Sequence, residues 1–126
     1  MKEYKRIRGI VLHGKGRGAS LGFPTANVEH EESYEGGAYA GKVSIEGDAK
    51  TYLSALYLHP KKKLLEAHLL EYSGNLYDTI IEVELLMKLR DPEIFSSEDQ
   101  LVAQIQRDVE KVRNLIQKKI YDNKNI

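Results

Sequence analysis

The sequence predicts a small antiparallel β-barrel closed by one long C-terminal helix, and three observations carry that prediction. Short runs rich in β-branched and aromatic residues recur from residue 4 to residue 90, punctuated by Gly, Pro, Asn and Asp. In the run 76–90, Ile81, Val83, Leu85, Met87 and Leu89 fall on one face and Glu82, Glu84, Lys88 and Arg90 on the other, as in a half-buried strand. After Pro92 the period changes, and Leu101, Ile105, Val109, Val112, Ile116 and Ile120 recur at three- and four-residue spacings.

Residues 4–12 read as a first strand that feeds the glycine-punctuated run Gly14-Lys15-Gly16-Arg17-Gly18. Leu21-Gly22-Phe23-Pro24-Thr25-Ala26-Asn27 reads as a rigid Pro turn carrying two small oxygen donors, and the acidic stretch 29–35 as a surface loop. Residues 38–46 and 51–58 form an antiparallel pair around the hairpin signal Gly47-Asp48. His59-Pro60-Lys61-Lys62-Lys63 then breaks the pattern, because Pro supplies no amide donor and three lysines prefer water. Strand character resumes over 64–72 and 76–90 around the turn Ser73-Gly74-Asn75. Ser97 with Gln100 forms a capping box, and Glu98 and Asp99 favour the start of a helix over about 97–120. The tail 122–126 has no packing face. About five or six strands and one helix result, with the helix covering one face or an open end of the barrel.

Composition bounds the rest. A chain of 126 residues with 41% hydrophobic content closes one core, so a single domain is expected, barrel to about residue 92. Nineteen Lys and Arg balance nineteen Asp and Glu, which argues against a general electrostatic grip on nucleic acid or anionic lipid. Cysteine is absent, excluding disulfides and thiolate metal sites and suiting a reducing cytoplasm. The sequence has no apolar run of spanning length and no secretory signal, so a cytoplasmic protein is expected. No exposed apolar stripe demands a partner, so the expectation is a monomer.

Several residues are candidates for chemistry. A loop with three glycines can present its N–H groups to an anion, and Lys15 and Arg17 add charge, so residues 14–18 read as a phosphate cradle. A hairpin whose turn needs positive φ explains the glycines equally well. The run lacks the Gly-Lys-Ser/Thr ending of a P-loop and the βαβ setting of a dinucleotide site. Thr25 and Asn27 are oxygen ligands suited to Mg²⁺, or simply residues that satisfy a turn backbone. Glu66 and His68 share a strand face with Leu64 and Leu70, which makes Glu66 a candidate general base or a residue of the solvent face. Arg90, Asp91, Asp108 and Arg113 could anchor a ligand, with surface ion pairing as the competing explanation. His13 and His59 lack the convergent partners of a metal site.

In combination these segments resemble the riboflavin kinase (flavokinase) family, which makes flavin mononucleotide from riboflavin and ATP. Gly9-Ile10-Val11-Leu12-His13-Gly14 leads through Gly16-Arg17-Gly18 into Leu21-Gly22-Phe23-Pro24-Thr25-Ala26-Asn27. Gly37-Ala38-Tyr39-Ala40-Gly41 resembles the family's Gly-Val-Tyr-Ala-Gly, Leu65-Glu66-Ala67-His68-Leu69-Leu70 its Val-Glu-Val-His-Leu-Leu, and Leu76-Tyr77 its Leu-Tyr-Gly. Leu89-Arg90, Phe95-Ser96-Ser97-Glu98, Leu101, Gln104-Ile105 and Asp108 look like its last strand and helix start.

The resemblance implies a six-stranded antiparallel Greek-key barrel capped by the helix. It implies that Thr25 and Asn27 organise Mg²⁺ and the ATP phosphates, and that Gly14, Lys15, Gly16, Arg17 and Gly18 form part of a nucleotide flap beside Pro24. By the same likeness Glu66 deprotonates the ribityl 5′-hydroxyl, and the isoalloxazine ring lies between barrel and helix, where Asp108 and Arg113 contact it. The implied partners are riboflavin, FMN, ATP and ADP, with no nucleic acid and no membrane.

The likeness is interrupted at three places. The family's Asn-Ile-Gly…Pro-Thr-Phe segment is replaced by Ser54-Ala55-Leu56-Tyr57-Leu58-His59-Pro60-Lys61, Asp78 stands where Leu-Tyr-Gly is expected, and Ala19 where many bacterial members carry a second Arg. In most bacteria the module follows an adenylyltransferase domain; 126 residues leave no room for one, so the expected product is flavin mononucleotide. Two readings result: an ATP-dependent riboflavin kinase, and a weak or inactive relative that binds flavin or nucleotide as a sensing module. An RNA-binding barrel would need a stacking platform, which an aromatic content of 8% does not supply.

Overall fold

The computed structural model describes residues 5–13 and 25–124, with side chains as far as residue 115. Six strands occur in chain order, β1 Lys5–Ile10, β2 Thr25–Glu29, β3 Gly37–Ile45, β4 Thr51–Leu58, β5 Leu64–Leu69 and β6 Ile80–Arg90. Helix α1, Glu98–Lys124, comes after them. Gly14, Lys15, Gly16, Arg17, Gly18 and Pro24 lie outside the described residues, as do the side chains of Ile116 and Ile120.

The sheet order is β1-β6-β3-β4-β5-β2, with every neighbouring pair antiparallel. Leu12 N–H donates to the Asn27 carbonyl at 2.8 Å, a bridge that joins the two ends of the sheet into a nearly closed barrel. Closure leaves little open edge for another chain to pair with. Alternation along β3 and β4 divides their apolar residues between two clusters. Ile7, Val28, Val43, Leu56, Leu65, Ala67 and Val83 fill the interior. Ala40, Ala55 and Leu70 lie in a second cluster with Val109 and Val112 of α1, and Leu53, Leu89 and Ile105 pack against it. Fully burying a Val or Leu contributes about 1.5–3 kcal/mol, so this second cluster helps to dock the helix. Among the described residues, no helix is long and apolar enough to cross a membrane.

The start of α1 obeys its sequence signal in part. Ser97 Oγ accepts from Gln100 N–H at 3.2 Å, while the Gln100 side chain reaches the amide and hydroxyl of Ser96 rather than the Ser97 amide.

Two segments differ from the sequence reading. Thr25, Ala26 and Asn27, expected in a turn, begin β2, where Ala26 and Val28 are fully buried and Thr25 and Asn27 take the alternate face. The last strand starts at Ile80 rather than residue 76; Leu76 enters the core from an irregular stretch in which Asp78 has φ of 66°.

The regular alternation of β6 also fails beyond Leu85. Against β3 the partners run Gly41–Leu85, Ala40–Met87, Tyr39–Lys88 and Ala38–Arg90, so Leu86 and Leu89 are extra residues at two bulges. Each extra residue inverts the facing of the strand beyond it. Met87 is therefore 45% exposed, Leu89 packs beneath the helix, and the Arg90 side chain is only 16% exposed. Gly41 sits at the first bulge, where a Cβ would collide with the Glu84 carbonyl and the Leu56 side chain.

Candidate active site

The strand registers align one lateral row across five strands on the outer face of the barrel. Arg90 of β6 pairs with Ala38 of β3, Ala38 with Tyr57 of β4, Tyr57 with Glu66 of β5, and Glu66 with Asn27 of β2. The next row carries Ala40, Ala55, His68 and Thr25. At ~4.8 Å per strand, Glu66 and Arg90 are separated by roughly 14 Å of backbone.

A cavity of about 120 Å³ lies over these rows, between them and α1. Its floor is Ala55 and Tyr57, and Phe95, Leu101 and Ile105 supply apolar walls. Glu66 and His68 stand at one end, Arg90, Glu93 and Asp108 at the other. The middle is thus apolar and the ends polar, the composition of a small-molecule site.

At the first end, Glu66 is half-buried, on neither the barrel interior nor the open surface. His68 is 4% exposed, and burial pushes its imidazole down to about 4, against a smaller opposing pull from Asp108. The ring is therefore neutral near pH 7. Its Nδ1 shares a hydrogen bond of 3.3 Å with the Thr25 hydroxyl, which fixes Thr25 beside Glu66 and Asn27.

At the other end, Arg90 and Asp108 form a two-point ion pair, with Nε donating to Oδ1 at 3.0 Å and Nη2 to Oδ2 at 2.8 Å. Gln104 Nε2 donates to the same Oδ1 at 3.0 Å, and Arg107 in turn donates to Gln104 at 2.8 Å. The Arg90 guanidinium lies 5.7 Å from the Tyr57 ring centre and 6.0 Å from that of Phe95. Burial raises the Tyr57 phenol above its usual range, the Arg90 charge opposes that shift, and the charges of Glu66 and Asp108 reinforce it.

The structure thus brings Thr25, Asn27, Glu66 and Arg90 of the sequence candidates to one face of the barrel, with Asp108 of α1 paired to Arg90. Arg113 is placed elsewhere, in an open depression of about 350 Å³ with Lys50, Tyr52 and Glu71. Local sequence pattern does not mark Tyr57, Phe95, Leu101 or Ile105 as lining residues. The available signal for Tyr57 is its alternation with the buried Leu56 and Leu58, which assigns it to the face shared by Glu66.

No group of three or more His, Cys, Asp or Glu among the described residues could hold a metal ion. What Thr25 and Asn27 offer is a hydroxyl and an amide carbonyl, oxygen donors that fit Mg²⁺ when water and phosphate complete its shell.

Comparison with known proteins bears on the family and the fold. The family model described as flavokinase, riboflavin kinase, matches residues 1–116. The bifunctional riboflavin kinase/FMN adenylyltransferase of Buchnera aphidicola is 38% identical over 116 residues, covering 85% of this chain and 37% of that protein. Its Haemophilus influenzae counterpart is 38% identical over 112 residues, covering 83% and 36%. The chain therefore spans well under half the length of these relatives. A solved riboflavin kinase from Trypanosoma brucei superposes with a TM-score of 0.66 over 94% of this chain and 84% of that one; at 22% identity the likeness bears on fold alone. A Streptococcus pneumoniae structure named macrolide-efflux protein superposes with a TM-score of 0.74 at 30% identity, over 86% of this chain and 38% of that one.

Proposed function

Because the chain belongs to the riboflavin kinase family, we propose that it transfers the γ-phosphoryl group of ATP to the 5′-hydroxyl of riboflavin, giving FMN and ADP. The observation that carries this reading is the direct pairing of Glu66 with Asn27, two residue pairs from the Thr25–His68 contact, with Glu66 and His68 both lining the cavity.

In this reading the Glu66 carboxylate accepts the proton of the ribityl hydroxyl as its oxygen attacks the γ-phosphorus, and the bond to the departing ADP breaks. Asn27 and Thr25 would hold Mg²⁺, which when bound offsets charge on the phosphate oxygens. His68, neutral and buried, keeps the Thr25 hydroxyl in place. The ribityl chain runs from Glu66 across β4, and the ring lies in the apolar part of the cavity toward Arg90 and Asp108. Gly14, Lys15, Gly16, Arg17, Gly18 and Pro24 are assigned to the nucleotide on their sequence likeness. Arg113 lines the other depression, so we give it no part in this reading. We assign the reaction to a monomer and place it in the cytoplasm.

The test is to incubate the purified protein with riboflavin, ATP and Mg²⁺ and follow FMN by chromatography. Metal- and ATP-dependent FMN is the expected result. Riboflavin binding without turnover would overturn the kinase reading and leave a flavin-binding module.

A further inference from the structure

The residues rising from β3 and β4 into the outer face between Glu66 and Arg90 are Ala38, Ala40, Ala55 and Tyr57. Of these, Ala55 and Tyr57 line the cavity together with Leu56, whose side chain belongs to the barrel interior, so Tyr57 is the large β4 side chain on the cavity face. Its ring has Glu66 on one neighbouring strand and reaches toward the Arg90 guanidinium on the other side. A molecule that places a terminal hydroxyl at Glu66 and a ring toward Arg90 must pass against it.

The cavity volume of about 120 Å³ is well below the ~300–1,000 Å³ of typical ligand pockets. A tricyclic ring is therefore accommodated only if a wall yields. Tyr57 stands on a strand paired on both sides, whereas Phe95 and Glu93 stand on the irregular stretch between β6 and α1. Strand pairing holds Tyr57 more firmly than the irregular stretch holds Phe95 and Glu93, which makes Tyr57 the fixed wall of the two.

We propose that Tyr57 is a ligand-contacting residue of this cleft, the fixed aromatic wall against which the flavin is held. The inference rests on the kinase reading for the identity of the ligand. It assigns a role to the segment 54–61, where the sequence departs from the family pattern: the aromatic ring supplies contact area at little conformational cost.

The test titrates riboflavin into the wild-type protein and into Tyr57→Phe, Tyr57→Leu and Tyr57→Ala, reading both Kd and the fluorescence of the bound flavin, which a contacting tyrosine ring quenches. FMN formation and thermal unfolding are followed in parallel. Tyr57→Phe should bind within about twofold of wild type. Tyr57→Ala and Tyr57→Leu should bind about tenfold more weakly, with brighter bound flavin and an intact unfolding transition; Tyr57→Leu guards against collapse of the alanine variant. Unchanged Kd and quenching in the folded leucine variant, with normal FMN formation by wild type, would overturn the role of Tyr57 and spare the kinase reading. Tyr57-dependent riboflavin binding without FMN formation by wild type would do the reverse.

Discussion

Asn27 and Glu66 stand directly opposite each other in the antiparallel pairing of β2 with β5. Their neighbours Ala26, Val28, Leu65 and Ala67 are all fully buried in the barrel, so both polar side chains are directed to the outer face by alternation alone. Glu66→Gln preserves shape and the strand pairing while removing the proton acceptor. It should lower kcat by about 10²–10⁴-fold, the usual contribution of a general base, with riboflavin Kd changed little. Steady-state kinetics and fluorescence titration check this, and an unimpaired variant removes Glu66 from the mechanism.

The Arg90–Asp108 pair ties the end of β6 to α1 with both side chains largely buried. Removing one partner of such a pair leaves the other charge without compensation, at a cost of about 3 kcal/mol. Asp108→Asn should lower the urea midpoint accordingly and weaken riboflavin binding. The double variant Arg90→Leu/Asp108→Leu should recover part of the stability, because apolar packing can replace a buried pair, but not the binding. A single variant as stable as wild type would show that the pair does not dock the helix.

Much of this architecture was legible in the sequence for physical reasons that differ by element. The hairpin of β3 and β4 and the amphipathic α1 carry periodicities long enough to read, and Gly47 with φ of 88° answers the turn signal between the strands. β2 was hidden because five residues give only two inward positions, Ala26 and Val28, while Pro24, Thr25 and Asn27 all signal a turn. The bulges of β6 were hidden because a two-residue alternation carries no mark of an inserted residue; Gly41, the glycine that permits close approach, is on the partner strand. Glu66 and His68 were legible as sharing a face, but not which face, because that depends on where α1 packs. Tyr57 became part of the site only through lateral register, a relation between strands that no local pattern contains.

Asp78 departs from a family glycine, and the structure gives the reason for that glycine: φ at this position is 66°. Glycine adopts this region freely and Asp tolerates it, whereas β-branched residues do not. The Asp78 amide donates to the Val11 carbonyl at 3.0 Å, which holds the turn against β1. Its carboxylate also meets His13 at 3.2 Å, an exposed contact worth at most about 1 kcal/mol. Asp78→Gly should therefore leave stability within about 1 kcal/mol of wild type, while Asp78→Val should cost about 1–3 kcal/mol through backbone strain. Urea denaturation of the two variants decides this, and equal midpoints would show that the turn relaxes without strain.

His68 couples the site to acid stability. Its folded value is about 4 against 6.5 for the free side chain, chiefly because burial disfavours the charged ring. Above pH 6.5 both states are neutral and the group contributes no pH dependence. Between pH 6.5 and 4 the unfolded chain binds the proton and the folded one does not, so stability falls with falling pH, by about 2 kcal/mol at pH 5. Below pH 4 the folded ring titrates as well and the loss levels off. His68→Asn retains a polar group near Nδ1 but cannot titrate in this range. Measured without divalent metal, the difference in unfolding free energy between wild type and this variant should shift to wild type's disadvantage from pH 7 to pH 5, by about that amount. A pH-independent difference would mean that the folded imidazole takes its proton as readily as the unfolded one.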